Sequence, residues 1–200
     1  MRVIGGTYRS RKLQTLRGAA LRPTSDRLRE TLFNILAPNI DDAVFVDLFA
    51  GSGAVGIEAL SRGARQAIFV ENHPASIALL RRNLESLGVA LGTSLTAPAK
   101  TFPGTAELLP LDAEAALERL AARRIRPDIV FADPPYADSQ AYDAVLELLG
   151  ESDLLAADGR AIFEHSSKRE LPPFVGRLER TRVVDQGDSA LSFYHLVLAA

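Results

Sequence analysis

Short apolar runs alternate with amphipathic stretches along most of the chain, and this alternation predicts the fold. The runs have the length and composition of buried strands, whereas the stretches between them repeat apolar residues at helical spacing. The predicted strands are residues 44–49, 67–70, 106–109, 129–132 and 161–163, and the predicted helices are residues 54–60, 74–87, 113–120 and 141–149. Such a rhythm is typical of a parallel sheet covered by helices on both faces.

The carboxyl end of the chain departs from this rhythm. Residues 182–184 and 191–198 flank a Gly187-Asp188 turn, which predicts an antiparallel hairpin. We therefore predict an α/β, Rossmann-like fold with a seven-stranded, mostly parallel sheet and an antiparallel C-terminal hairpin. Residues 89–104, rich in Gly, Pro, Ser and Thr, are predicted to form a long surface loop.

The amino end is predicted to form a small basic appendage of a hairpin and a helix. A strand-like run at residues 2–8 precedes a helix that Thr24 or Ser25 can cap and that Pro38 ends. The first 30 residues contain eight basic and two acidic side chains, so their net charge is +6, while the remainder carries −8. This end alone is suited to a polyanion. We assign residues 1–40 to the appendage and residues 41–200 to one catalytic domain.

Composition excludes several classes of protein. The 200 residues contain no cysteine, so disulfides, thiolate metal sites and cysteine nucleophiles are ruled out. His73, His165 and His195 have no metal-like spacing, and we expect no metal site. The chain shows no signal sequence, no membrane-spanning run and no exposed apolar stripe, so we expect a cytoplasmic monomer.

A glycine-rich loop follows the first strand of the predicted sheet. Gly51, Gly53 and Gly56 match the spacing G-x-G-x-x-G, and Glu71 ends the next strand 20 residues after Gly51. Glycines let a backbone approach a ligand closely, and an acid at this distance can accept both hydroxyls of a ribose. The sequence therefore predicts a cofactor that contains a ribose. On this pattern alone a nicotinamide or flavin dehydrogenase stays possible.

The stretch Asp47-Leu48-Phe49-Ala50-Gly51-Ser52-Gly53 resembles the first motif of S-adenosylmethionine-dependent methyltransferases. The resemblance implies a class I methyltransferase fold, with the glycine loop beside the methionine portion, Glu71 on the ribose and Asp112 on the adenine. Asp112 is equally suited to cap the helix that begins at Ala113. The cofactor-binding residues predicted in this way are Asp47, Phe49, Ala50, Gly51, Ser52, Gly53, Glu71, Asn72, Asp112, Ala113 and Asp133.

The tetrapeptide Asp133-Pro134-Pro135-Tyr136 ends a predicted strand, at the sheet edge where the glycine loop is also expected. An exocyclic amino group is a poor nucleophile because its lone pair is delocalised. The Asp133 carboxylate and the Pro134 carbonyl can accept its two hydrogens, and Tyr136 offers a flat face for a base to stack on. We predict that these four residues are catalytic. Methylation of pyrimidine carbon is excluded, since it requires a cysteine.

Together these motifs are similar to those of amino-methyltransferases that act on adenine N6, guanine N2 or a glutamine amide. The terminal motifs narrow the resemblance to the small bacterial 16S ribosomal RNA guanine-N2 methyltransferases of the RsmD type. These motifs are residues 2–6, 11–13, 22–30 and 187–192. The resemblance covers nearly the whole chain. The loop at residues 89–104 is long for this family, which weakens the alignment that places Asp112.

The resemblance implies transfer of a methyl group from S-adenosylmethionine to N2 of one guanine in 16S rRNA of the small ribosomal subunit. A basic appendage would bind phosphates while the flipped base enters the pocket. The predicted RNA contacts are Arg9, Arg11, Lys12, Arg22, Arg27 and Arg29. The alternatives are an adenine-N6 methyltransferase acting on DNA or RNA, a protein glutamine methyltransferase, and a non-catalytic RNA-binding assembly factor.

Overall fold

The computed structural model describes residues 1–15, 25–92 and 104–197, and the chain divides into two compact units, residues 1–111 and 112–200. Arg22 and most of the predicted 89–104 loop lie outside the described residues. The boundary predicted at residue 40 stays a prediction. No helix in the described ranges is long and apolar enough to cross a membrane.

The first unit contains three parallel strands and three helices. Its elements are α1 (Asp26–Leu36), β1 (Val44–Leu48), α2 (Ala54–Ser61), β2 (Gln66–Val70), α3 (Pro74–Ser86) and β3 (Thr105–Leu109). The strand order is β3-β2-β1, with Val44 opposite Gln66 and Gln66 opposite Thr105. Every residue of β1 and β2 is buried. Continuous burial explains why both strands are mostly apolar and show no alternation, with Asp47 and Gln66 as their polar residues.

The second unit contains a parallel strand pair that continues into antiparallel strands. Its elements are α4 (Ala113–Ala122), β4 (Ile129–Ala132), α5 (Ser139–Glu151), β5 (Arg160–Ser166), β6 (Phe174–Val175), β7 (Leu178–Gln186) and β8 (Ser189–Leu196). The order is β4-β5-β8-β7-β6. β4 and β5 are parallel, whereas β8 runs antiparallel to both β5 and β7. The predicted C-terminal hairpin is therefore present, and β6 is an additional two-residue strand.

The first helix begins as the sequence predicts. The Ser25 side chain caps α1 by accepting a hydrogen bond from the amide of Leu28, and Asp26 lies in the first turn. The apolar stripe of the helix is buried at Leu28, Leu32 and Leu36. Of the two predicted caps, Ser25 is therefore the one used, while Thr24 lies outside the described residues.

Residues 1–15, which we call the N-terminal arm, pack into the core of the first unit. The amide of Ser10 donates to the carbonyl of Val3, and the amide of Leu13 donates to the carbonyl of Met1, so the arm folds back on itself. Val3, Leu13 and Tyr8 are buried among α2, α3 and β2 residues. The basic N-terminal arm is thus anchored by its own apolar residues, which are buried in the core of the first unit.

Helix α2 holds the arm with polar groups as well. The buried Glu58 carboxylate accepts from the amides of Ile4 and Gly5 at 2.8 and 2.7 Å. The Ser61 hydroxyl accepts from the amide of Tyr8 at 2.9 Å and donates to the Gly5 carbonyl. These contacts satisfy backbone groups that the short hairpin leaves unpaired.

Replacing Gly6 with alanine tests this close docking. Gly6 has a φ of +70°, and a Cβ there would lie 1.7 Å from the Ser61 carbonyl oxygen. We expect Gly6→Ala to lower the free energy of unfolding by more than about 2 kcal/mol in urea denaturation. Gly88→Ala is the control, because its φ is +71° with nothing within 4 Å. Equal losses for the two variants would contradict the docking.

Candidate functional site

The loop between β1 and α2 turns sharply at the carboxyl end of the strand. Phe49, Gly51 and Gly53 all have positive φ angles, of 61°, 54° and 78°. The Gly53 amide donates to the Ala50 carbonyl at 2.7 Å, and Gly53 is the N-cap of α2. A phenylalanine in the left-handed region is uncommon, so the surrounding contacts must fix this turn.

The three glycines of the loop have different roles. A Cβ on Gly53 would lie 2.1 Å from Leu80 of α3, and one on Gly56 would lie 2.3 Å from Phe69 of β2. These two glycines therefore allow α2 to pack closely. Gly51 differs, because its nearest neighbour in that direction is 4.0 Å away. The loop thus leaves open space beside Gly51, where a ligand can approach the backbone.

Asp47 is a buried carboxylate of β1 that bonds the backbone at the start of α2. Its side chain is buried, with 2% of the residue exposed, and it accepts from the Gly56 amide at 2.8 Å. Burial raises the pKa of Asp47 to about 7, and Glu71 also raises it, while the Gly56 hydrogen bond lowers it. The contact of Asp47 with the cofactor stays a prediction. Asp47 fixes the first turn of α2.

Glu71 follows β2 and holds the other side of the loop. Its carboxylate accepts from the amides of Gly51 and His73, each at 2.8 Å, and the side chain is half-buried. A carboxylate has about four acceptor positions, so two backbone bonds leave capacity for hydroxyl donors. The neighbouring Asn72 is exposed. The ribose contact assigned to Glu71 stays a prediction.

Asp112 caps the first helix of the second unit. Its carboxylate accepts from the amide of Ala115 at 2.8 Å, and Ala113 is the buried first residue of α4. The helix-capping role that the sequence predicted for Asp112 is therefore present. Asp112 is exposed, and its contact with an adenine stays a prediction.

In the second unit, Asp133–Tyr136 forms a turn directly after β4. Pro134 is buried, Asp133 and Tyr136 are half-buried, and Pro135 is exposed. The hydroxyl of the buried Tyr142 lies 3.2 Å from the Pro134 carbonyl and 3.1 Å from the Glu164 carbonyl. Burial is the main cause that raises the pKa of Tyr142 well above its usual value, and the negative charge of Asp133 raises it further. Tyr142 therefore stays protonated and remains a hydrogen-bond donor to the turn.

Two further residues fix Tyr136. Its hydroxyl lies 2.8 Å from the Ser189 hydroxyl on β8, and its backbone carbonyl accepts from Arg169 at 3.2 Å. The Arg169 guanidinium also stacks over the Tyr142 ring, 4.4 Å from its centroid. Arg169, Tyr142 and Ser189 thus hold the backbone and the ring of the turn in one arrangement.

Sequence reasoning missed Tyr142 and Arg169 as parts of this site. Neither lies in a recognisable motif, and Arg169 is 33 positions from its partner Tyr136. Ser189 could have been found, because it lies in the 187–192 segment that carries part of the family resemblance. In the same segment, Ser192 bonds His165 at 2.8 Å, which gives this histidine a structural role. Burial lowers the pKa of His165, so the neutral form is favoured.

The predicted RNA contacts divide into exposed and buried residues. Arg9, Lys12 and Arg27 are exposed, and so is Arg11, whose guanidinium donates to the Ser86 carbonyl at 2.7 Å. Arg22 lies outside the described residues.

The structure corrects the prediction that Arg29 is one of the RNA contacts. It has no exposed surface and donates to the Arg2 carbonyl and the Asp26 carboxylate at 2.7 and 2.9 Å. Its Nε lies 4.0 Å from the Glu58 carboxylate. Arg29 therefore connects α1 to the N-terminal arm and cannot reach RNA.

Comparison with known proteins agrees with this architecture. A family model described as "Conserved hypothetical protein 95" matches residues 1–195. "Ribosomal RNA small subunit methyltransferase D" of Escherichia coli is 37% identical over 188 residues, covering 93% of this chain and 86% of the relative. The structure of a hypothetical protein of Thermus thermophilus is 30% identical, with a TM-score of 0.79 and coverage of 98% of this chain and 99% of that one.

A more distant structure shares the fold. The rRNA methyltransferase aviRa of Streptomyces viridochromogenes is 18% identical, with a TM-score of 0.63 and coverage of 90% of this chain and 88% of that one. The predicted α/β methyltransferase fold is therefore confirmed. This chain belongs to the family described as Conserved hypothetical protein 95, and the predicted family resemblance is confirmed.

The raised pKa of Asp47 predicts a pH-dependent stability. The carboxyl is protonated in the folded and unfolded states below about pH 4, and the unfolded chain ionises first as the pH rises towards about 7. Ionisation of Asp47 therefore favours unfolding over this range. Asp47→Asn retains an acceptor for Gly56 without this charge. We expect the free energy of unfolding of Asp47→Asn, relative to that of the wild type, to increase as the pH rises from about 4 to about 7, measured by urea denaturation.

A difference that stays constant with pH would contradict the burial argument for Asp47. Asp42→Asn is a suitable control, since Asp42 is an exposed carboxylate of the same unit.

Proposed function

We propose that this protein transfers a methyl group from S-adenosylmethionine to the exocyclic N2 of a guanine in 16S rRNA of the small ribosomal subunit. Membership of the family and the name of the Escherichia coli relative support an rRNA substrate. An rRNA substrate in turn implies that the protein acts in the cytoplasm. The choice of guanine N2 rests on the family resemblance of the terminal motifs.

The observation that carries the proposal is the fixed turn after β4. A planar amino group becomes nucleophilic only when its hydrogens are accepted and its lone pair is left facing the electrophile. Asp133 supplies a carboxylate acceptor, and the Pro134 carbonyl has two lone pairs, so a bond from Tyr142 leaves one for the substrate. Prolines at 134 and 135 also remove two amide donors that would compete for these acceptors.

Tyr136 is assigned the stacking face for the flipped guanine. A stacking ring contributes to catalysis only if its orientation is constant, because misplacement of the acceptor amine is costly. The bond to Ser189 and the Arg169 contact to the Tyr136 carbonyl supply that constraint. Ser189 belongs to the terminal motif that distinguishes the guanine-N2 family, and this contact connects that motif to the turn.

The residues around the glycine loop fit S-adenosylmethionine. Open space beside Gly51 accommodates a ligand next to the backbone, and Glu71 retains acceptor capacity for ribose hydroxyls. When bound, S-adenosylmethionine supplies an electrophilic methyl group on a sulfonium. The chain itself then has to position the acceptor amine and exclude competing donors, and it needs no nucleophile or metal for this in-line transfer.

The exposed cations of the N-terminal arm are assigned to the RNA phosphates. Arg9, Arg11 and Lys12 are exposed, while the residues that flank them, Tyr8 and Leu13, are buried in the first unit. The arm therefore presents charge on a fixed backbone and binds phosphates without reading sequence.

Separate variants test the two halves of the proposed mechanism. Asp133→Ala removes the amino-group acceptor, so we expect turnover to fall at least about a hundredfold with the affinity for S-adenosylmethionine nearly unchanged.

Glu71→Gln should instead weaken S-adenosylmethionine binding about tenfold, since an amide is a poorer acceptor for hydroxyls and for the Gly51 amide. Methyl transfer to small ribosomal subunits and calorimetric titration measure the two effects.

Asp138→Asn provides the matched control. Asp138 is an exposed carboxylate two residues beyond Tyr136, and asparagine preserves its capping of α5. We expect it to behave as the wild type. A fully active Asp133→Ala variant would contradict the proposed mechanism.

The charge of the arm is tested by the salt dependence of RNA binding. Each phosphate contact contributes about 0.7–0.9 to the slope of log affinity against log salt concentration. Arg9→Ser combined with Lys12→Ser should therefore reduce the slope by about 1 to 2. Arg81→Ser with Arg82→Ser removes two cations of α3 outside the arm and serves as control. An unchanged slope in the arm variant would remove the arm from the RNA interface.

A further inference from the structure

Asn83 is a buried polar residue that no sequence motif singles out. It lies on α3 with 1% of its surface exposed, on the same helix as the buried Leu80 and Leu84. A buried amide is retained at such a position only if its polar groups are satisfied, because an unpaired one costs free energy. The bonding partners of Asn83 therefore indicate its role.

The Asn83 side chain joins two segments that are distant in sequence. Its Oδ1 accepts from the Gln14 amide at 2.8 Å, and its Nδ2 donates to the Gln14 carbonyl at 3.1 Å. Nδ2 also donates to the Ser52 carbonyl at 2.9 Å. One side chain thus pairs both backbone groups of the N-terminal arm at Gln14 and one carbonyl of the glycine loop.

The bond to Ser52 fixes a peptide group of the loop. The peptide between Ser52 and Gly53 is held at its carbonyl by Asn83 and at its amide by the Ala50 carbonyl. Glu71 holds the amide of Gly51 on the preceding residue. Because glycine backbone readily adopts other conformations, these bonds are what select one arrangement of the loop.

We propose that Asn83 is a positioning residue for the cofactor loop and that it makes the loop conformation depend on the docked N-terminal arm. This inference rests on the proposed use of S-adenosylmethionine. Asn83 acts through the Ser52 carbonyl and does not touch the ligand. The N-terminal arm takes part because the backbone of Gln14, two residues after Lys12, holds the side-chain amide of Asn83 in place.

Asn83→Asp is the sharpest test, because it preserves shape and the acceptor for the Gln14 amide. It removes both N–H donors and places a carboxylate oxygen opposite the carbonyls of Gln14 and Ser52. We expect the dissociation constant for S-adenosylmethionine to rise about tenfold or more in calorimetric titration. The KM for S-adenosylmethionine should rise with it, while kcat at saturating concentration is retained.

A matched control separates this effect from a general loss of helix stability. Ser86→Ala removes a side-chain bond to the Asn83 carbonyl on the same helix without altering the side chain of Asn83. We expect it to bind S-adenosylmethionine as the wild type does. Asn83→Ala introduces no charge and should also weaken S-adenosylmethionine binding. It replaces Asn83→Asp as the test of the positioning role if Asn83→Asp does not fold.

Thermal unfolding with and without S-adenosylmethionine distinguishes positioning from a structural role. A positioning role predicts a smaller ligand-induced increase in the unfolding midpoint for the Asn83 variants. A lower midpoint combined with an unchanged dissociation constant would overturn the inference while leaving the proposed function intact. Failure of the wild-type protein to bind S-adenosylmethionine would instead overturn the proposed function and this inference with it.

Discussion

The site depends on two carboxylates that hold backbone amides at the ends of parallel strands. Asp47 accepts from Gly56 beneath the loop, and Glu71 accepts from Gly51 beside it. A loop with positive φ at Phe49 and two glycines would otherwise have many accessible conformations. By binding the amides, the carboxylates fix the turn between β1 and α2, and Asn83 completes this constraint from α3. Because burial raises the pKa of Asp47 to about 7, ionisation of this carboxyl lowers the stability of the folded state.

The turn after β4 is constrained by a different chemistry. Proline supplies no amide donor, so the backbone there is held through its carbonyls, by Tyr142 at Pro134 and by Arg169 at Tyr136. The Tyr136 ring is held through its hydroxyl by Ser189. Both loops thus depend on contacts from distant elements to present a defined surface, which is the condition for catalysis by positioning.

Local pattern was sufficient to predict most elements and the two loops, because apolar periodicity and capping residues act over a few positions. Ser25 and Asp112 both cap helices as their sequence context suggests. Partners separated by tens of residues could not be predicted in this way. Arg29 resembles a surface cation in a basic segment, yet its burial depends on the distant Glu58 and Arg2. The two-residue strand β6 has no pattern to detect.

The identity of the methylated base tests the central claim most directly. The protein would be incubated with labelled S-adenosylmethionine and, in parallel, with unmodified small ribosomal subunits, free 16S rRNA and duplex DNA, and any labelled product digested to nucleosides. The account predicts label as N2-methylguanosine from ribosomal material. Label on adenine or on DNA would contradict the assignment to guanine N2 of rRNA, and absence of transfer to every substrate would contradict the proposed activity.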